Sequence, residues 1–116
     1  MPRSYGVWLR KYIDVLRNWR TIVSRLAELV VRVDPDAEVY VFGSIINNKY
    51  TGSSDIDVIV VTRGKDPKKV YQELSMLIDR ELGSLISQAI DLHIVPRREK
   101  NKPPYKWWLE KALRIH

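Results

Sequence analysis

The sequence predicts an α/β domain, a small mixed sheet flanked by helices with one long helix at the N-terminus. Three features carry that expectation. The run from Val7 to Val33 contains neither glycine nor proline and repeats its apolar residues at spacings of three and four, the pattern of an amphipathic helix. Two β-branched stretches follow, Glu38 to Phe42 and Asp55 to Val61, with strand composition. A helix-period segment then separates them from a third such stretch, Gln88 to Val95, and this strand–helix–strand order favours a mixed sheet.

In chain order, Met1 to Tyr5 reads as a short lead into the helix. Trp8, Tyr12, Val15, Trp19, Ile22, Leu26, Leu29 and Val33 form its apolar stripe, expected to lie across the sheet. A helix of that length overhangs a small sheet, which makes Trp8 and Tyr12 candidates for a dimer or partner contact. Arg10, Lys11, Arg17, Arg20, Arg25 and Arg32 read as a solvated basic face. Asp34-Pro35-Asp36 ends the helix, because proline lacks the amide donor and disfavours helix at the preceding residue.

Val58 to Val61 is apolar on both faces and belongs inside the sheet. After a turn at Arg63 to Pro67, Asp66-Pro67 opens a helix whose face, Val70, Leu74, Leu77 and Ile78, runs to about Leu82. Gly83-Ser84 stops it. Pro96 to Pro104 is a charged, proline-bounded linker. Tyr105, Trp108, Leu109, Ala112 and Leu113 recur at helical spacing, so the tail is expected to pack back on the domain, with Trp107 off that face, either capping the core or meeting another protein.

At 116 residues the chain is expected to form one domain, 1–116. A net charge of +6 suits an acidic partner such as a nucleotide or nucleic acid, and equally suits a merely soluble surface because both signs are interspersed. The absence of cysteine excludes disulfides and thiolate metal sites. No signal peptide or membrane-length apolar run is present, so a cytoplasmic location, away from membranes, is the default expectation.

The chemistry concentrates between Gly43 and Asp57. An apolar strand runs into Gly43-Ser44, where a residue without Cβ lets a phosphate approach the backbone and a hydroxyl can donate to it. A helical turn over Ile45 to Asn48 would turn further amides toward the same anion. Ten residues separate Ser44 from Asp55-Ile56-Asp57. Alternate residues of a strand share a face, so both carboxylates point one way with Cα atoms roughly 6.5 Å apart, a span that suits divalent ions about 3.5–4 Å apart. Ile56 points into the core. Two like charges on one face are rarely stable without a cation between them.

Gly-Ser, ten residues, then Asp-x-Asp resembles the DNA polymerase β superfamily of nucleotidyltransferases, and the small size resembles its minimal prokaryotic members. The resemblance covers residues of about 38 to 95 and implies the polymerase β-like nucleotidyltransferase fold. It also implies a third carboxylate on a later strand, a role matched by Asp91, with Ile90, Leu92 and Ile94 on the opposite face. Family loops often read Gly-Ser-x-x-Arg-Gly, whereas this chain has Asn47-Asn48. Asparagine tolerates the left-handed conformation of that glycine; Asn47 lacks the arginine's charge, for which Lys49 is the candidate replacement.

By that resemblance the reaction is transfer of a nucleoside monophosphate, AMP from ATP, to an acceptor hydroxyl with loss of pyrophosphate. Two Mg2+ ions, with Mn2+ as a possible substitute, are implied: one held by Asp55, Asp57 and Asp91, the other by Asp55 and Asp57. Gly43 and Ser44 take the β and γ phosphates. Larger relatives carry a domain for the acceptor, so a minimal member is expected to take its acceptor from another molecule. The implied partner is a small helical protein of the HEPN (higher-eukaryote-and-prokaryote nucleotide-binding) type, often a toxic ribonuclease, with this chain as antitoxin adenylylating a tyrosine. A homodimer is possible, and nucleic acid is not favoured. The alternative is a non-catalytic module, an antitoxin by occlusion or a basic RNA binder. His93 shares the Asp91 face and reads as packed rather than catalytic; Tyr40 and Tyr50 read as packing residues.

Overall fold

A computed structural model describes the backbone of residues 3–116 and the side chains of residues 5–116. The element order is α1 (Arg3–Arg17), α2 (Trp19–Val33), β1 (Glu38–Phe42), β2 (Ile56–Thr62), α3 (Pro67–Leu82), α4 (Ser84–Ala89), β3 (Ile90–Pro96), α5 (Tyr105–Glu110) and β4 (Leu113–Arg114). The four strands form one mixed sheet in the order β3-β2-β1-β4. β1 runs antiparallel to β2 and β4, and β2 runs parallel to β3 through the α3–α4 crossover. The α/β expectation holds, with β2 inside the sheet as its two apolar faces require.

The long N-terminal helix is two helices. Asn18 lies between them at φ −96°, ψ 24°. Its side-chain Nδ2 donates at 2.8 Å to the Asp14 carbonyl, which also accepts the Asn18 backbone amide at 3.1 Å. The sequence spacing runs through this break undisturbed, so periodicity did not reveal it. The lead predicted over Met1 to Tyr5 is already helical from Arg3, and Met1 and Pro2 lie outside the described residues.

Strand alternation sorts the sheet into two faces. Val39, Val41, Val58 and Val60 meet Trp19, Leu26, Val30, Leu74 and Ile78 in the main core. Burial of each such side chain contributes about 1.5–3 kcal/mol. The other face carries Tyr40, Ile59, Val61 and Val95, covered by Tyr105, Trp108, Leu109 and Ala112 of the tail. The tail thus packs back as expected, but its helix stops at Glu110 and Leu113–Arg114 adds an edge strand to β1. Residues 85–87, left between the Gly83-Ser84 stop and the third strand, are helical in α4, which also takes Gln88 and Ala89 and delays β3 to Ile90. Asp66 caps α3 by accepting from the Lys68 amide at 3.1 Å.

Candidate active site

The Asp-x-Asp segment enters β2 beside two neighbours. In the sheet register Asp57 pairs with Phe42 of β1 and with Asp91 of β3, and Ile59 pairs with His93. Alternation places Asp57, Asp91 and His93 on the face covered by α5, while Ile56 is fully buried in the main core. One ligand atom from each of Asp57, Asp91 and His93 lies within 4.8 Å of the others. His93 Nε2 is 3.3 Å from Asp91 Oδ2. The donor set of two carboxylates and an imidazole fits a divalent cation.

Asp57 is recessed and Asp91 exposed. Burial, then the charge of Asp91 and a shared hydrogen bond with it, then the charge of Asp55, push the Asp57 carboxyl up to about 6. The charge of His93 works against this rise without cancelling it, leaving Asp57 with a raised proton affinity among crowded carboxylates.

Gly43 closes one side of Asp57. It adopts φ 85°, ψ −167°, a conformation open essentially to glycine alone. A Cβ here would lie 2.6 Å from Asp57 Oδ2. The turn backbone and the carboxylate are therefore in direct apposition, with no room for a side chain between them. Ser44 opens a 3-10 turn, Ser44–Asn47, anchored by buried Ile45. Asn48 ends it in the left-handed conformation at φ 57°, as the replacement of a family glycine requires. Lys49 is exposed; its backbone amide donates to the Ser44 carbonyl, and its side chain does not line the cleft at Gly43-Ser44.

Helices α1 and α2 brace this loop from below. Tyr12 Oη donates to the Ser54 carbonyl at 2.6 Å and approaches Asp55 Oδ1 at 3.2 Å. Burial and the Asp55 carboxylate push the Tyr12 hydroxyl up to about 12, so it stays a donor. Trp19 Nε1 donates to Asn48 Oδ1 at 3.2 Å. Tyr12 is thus a buried support for the aspartate loop, which corrects its reading as a partner contact; Trp8, stacked on it at 5.0 Å, remains partly exposed. Gly52 fits against Leu9, whose Cδ1 lies 2.6 Å from where a Cβ would be. The helical stripe named Tyr12 and Trp19 as core residues, and nothing local in the sequence signals that their polar atoms reach across to residues 48–55.

Asp55, Asp57 and Asp91 are brought together as far as their charges interact, while the tight ligand cluster contains His93 where Asp55 was expected. Its signal was available, since His93 follows Asp91 by two residues on a strand. The aromatic neighbours are further additions. Phe42 stacks on Trp108 at 5.1 Å, and both rings pack on His93 at 5.9 and 5.3 Å.

Two carboxylates stand side by side on parallel strands with a glycine turn pressed against one, and with His93 they form a group that could hold a metal ion. The family model of the nucleotidyltransferase domain matches residues 20–115, and the chain belongs to that family. Among solved structures the fold is similar to that of a Sulfolobus solfataricus protein proposed to be a nucleotidyltransferase, determined at 1.40 Å. The two share 20% identity over 89% of this chain and 84% of that one, with a TM-score of 0.59. No curated protein matches the sequence. Helix α1, which carries Tyr12, precedes the matched residues. Among the described residues no helix is long and apolar enough to cross a membrane.

Proposed function

We propose that the protein transfers a nucleoside monophosphate, AMP from ATP, to an acceptor hydroxyl, and that the acceptor is a tyrosine of a HEPN-type helical partner which it neutralises as an antitoxin. The observation that carries the transfer reading is the apposition of the Gly43 turn to Asp57, itself paired in register with Asp91. That arrangement puts a phosphate-accessible backbone beside the carboxylates. Asp55, Asp57 and Asp91 are the proposed holders of Mg2+, with His93 beside them. When bound, magnesium supplies Lewis-acid polarisation of the hydroxyl and neutralises the triphosphate.

The chain's own groups do the rest. Gly43 and Ser44 orient the β and γ phosphates through the backbone and the hydroxyl, while Tyr12 holds Asp55 in place. The acceptor oxygen bonds to the α-phosphorus, the bond from that phosphorus to the bridging oxygen breaks, and pyrophosphate leaves. Exposed Asp91 takes the hydroxyl proton, with His93 at 3.3 Å to share it. Tyr5 and Trp8 expose aromatic surface on α1, beside the Tyr12–Asp55 contact, where a partner that delivers a tyrosine could dock.

The test is transfer of label from α-labelled ATP with Mg2+ into proteins of the native extract, beside Asp55→Asn and Asp57→Asn controls. A labelled band absent from the controls identifies enzyme and acceptor together. No label with any nucleotide, or with Mn2+, from a folded protein sinks the proposal. A second reading, a non-catalytic binding module, is favoured by the uncharged Asn47 in the phosphate turn and by the net charge of +6. It requires that Asp55→Asn leave neutralisation of the partner intact.

A further inference from the structure

A cleft of about 300 Å3 opens between the Gly43–Asn47 turn and the tail. One wall is Gly43, Ser44 and Asn47; the other is Trp107, Trp108 and Lys111. The first wall carries no cation, although a triphosphate brings several negative charges. Lys111, at the C-terminal end of α5, is exposed and has no acidic partner among the described residues. Trp107 is 61% exposed, one of the largest apolar surfaces left uncovered. Trp108 by contrast is committed to Phe42 and His93. Trp107 and Lys111 are four residues apart along α5 and its cap, so they lie on one side of it. The cleft adjoins the carboxylates through two of its lining residues: Gly43 abuts Asp57, and Trp108 packs on His93.

From this we infer that the nucleoside triphosphate lies in the cleft, with Lys111 supplying the phosphate cation that Asn47 and Lys49 do not, and the Trp107 indole stacking on the base. The inference rests on the nucleotidyl-transfer reading and adds to it the seat of the substrate. An indole face accepts any base, so the tail contributes affinity without choosing among the four. An ammonium at the other end senses phosphate number. The tail thereby acquires a role beyond covering the sheet, and the edge strand β4, which follows directly, anchors it.

Isothermal titration of the intact protein with ATP and with AMP, in Mg2+, tests this. Lys111→Met is expected to weaken ATP binding about tenfold and AMP binding much less, since a charge-assisted contact to the outer phosphates is lost. Trp107→Ala is expected to weaken both about tenfold, and Trp107→Phe to retain most of the affinity. Both side chains are exposed, so unchanged melting curves will show the variants folded. If the wild type binds ATP and both variants bind it equally well, the cleft assignment is wrong while nucleotidyl transfer stands. If the wild type binds no nucleoside triphosphate, the underlying reading fails and this inference with it.

Discussion

Replacing Asp57 by asparagine should make the metal-free protein more stable at neutral pH while removing its response to metal. The folded Asp57 carboxyl holds its proton up to about 6, against an ordinary value of 3.8. Between those values the folded state binds more protons than the unfolded state, so stability falls as pH rises from about 4 to 6 and stays at the lower level above. A shift of about two units corresponds to at most about 3 kcal/mol. Asp57 is recessed rather than enclosed, and solvent screening reduces this to about 1–2 kcal/mol. For a domain of this size that amounts to a gain in Tm of about 4–8 °C for Asp57→Asn. Thermal unfolding in chelator at pH 4.5 and 7.5 reads the effect: the variant gains at pH 7.5 and gains little at pH 4.5. Addition of Mg2+ or Mn2+ then stabilises the wild type and leaves the variant where it was. An equal or lower Tm for the variant at pH 7.5, or a gap that does not depend on pH, would falsify the picture of Asp57 as an uncompensated charge among carboxylates.

Other perturbations probe the supports. Gly43→Ala combines a strained φ with a Cβ only 2.6 Å from Asp57 Oδ2, and should cost about 1–3 kcal/mol in urea unfolding and abolish label transfer. Unchanged transfer by that variant would remove the turn from the site. Tyr12→Phe deletes the hydroxyl that holds Ser54 and Asp55; metal affinity, followed by Mn2+ paramagnetic resonance, should fall about tenfold with a stability loss near about 1 kcal/mol. Away from the site, Lys100 Nζ donates to Glu38 Oε1 at 2.7 Å; burial pushes the Glu38 carboxyl up, but hydrogen bonds from Lys100 and Tyr40 together with the charges of Lys100 and Arg114 hold it below its ordinary value. A lowered folded value contributes stability that is present at neutral pH and lost as the carboxyl protonates in acid. Lys100→Met should therefore cost about 1 kcal/mol at pH 7, by denaturant titration, and progressively less as pH falls through the carboxylate range.

The legible parts of this protein are those whose signal is local. Strand β1 was readable to the residue, β2 within one residue and α3 to its proline start, because β-branched runs, an aspartate–proline cap and alternate apolar positions act over a few residues. The left-handed Asn48 was reached instead through the family resemblance, since it stands where the family has a glycine and asparagine tolerates that conformation. Asp57 and Asp91 were readable as same-face carboxylates of strands, and the family resemblance supplied their pairing.

What the tertiary structure decided involves partners distant in sequence. At Asn18 the backbone leaves helical geometry at ψ 24° while the Asp14 carbonyl accepts both its amide and its side chain, a local arrangement that hydrophobic spacing does not register. Tyr12 and Trp19 look like stripe residues, yet their polar atoms reach residues 54, 55 and 48, contacts that exist only once α1 and α2 lie under the loop. Strand β4 has no signature of its own, since two residues become a strand only when β1 offers an unpaired edge. His93 joins Asp57 and Asp91 because parallel register sets Ile59 beside it, and Trp107 and Lys111 share a cleft with the Gly43–Asn47 turn because Trp108 docks on Phe42. Sequence alone determined the candidates for the chemistry, through local geometry and residue type; the packing of sheet, helices and tail decided which of them meet.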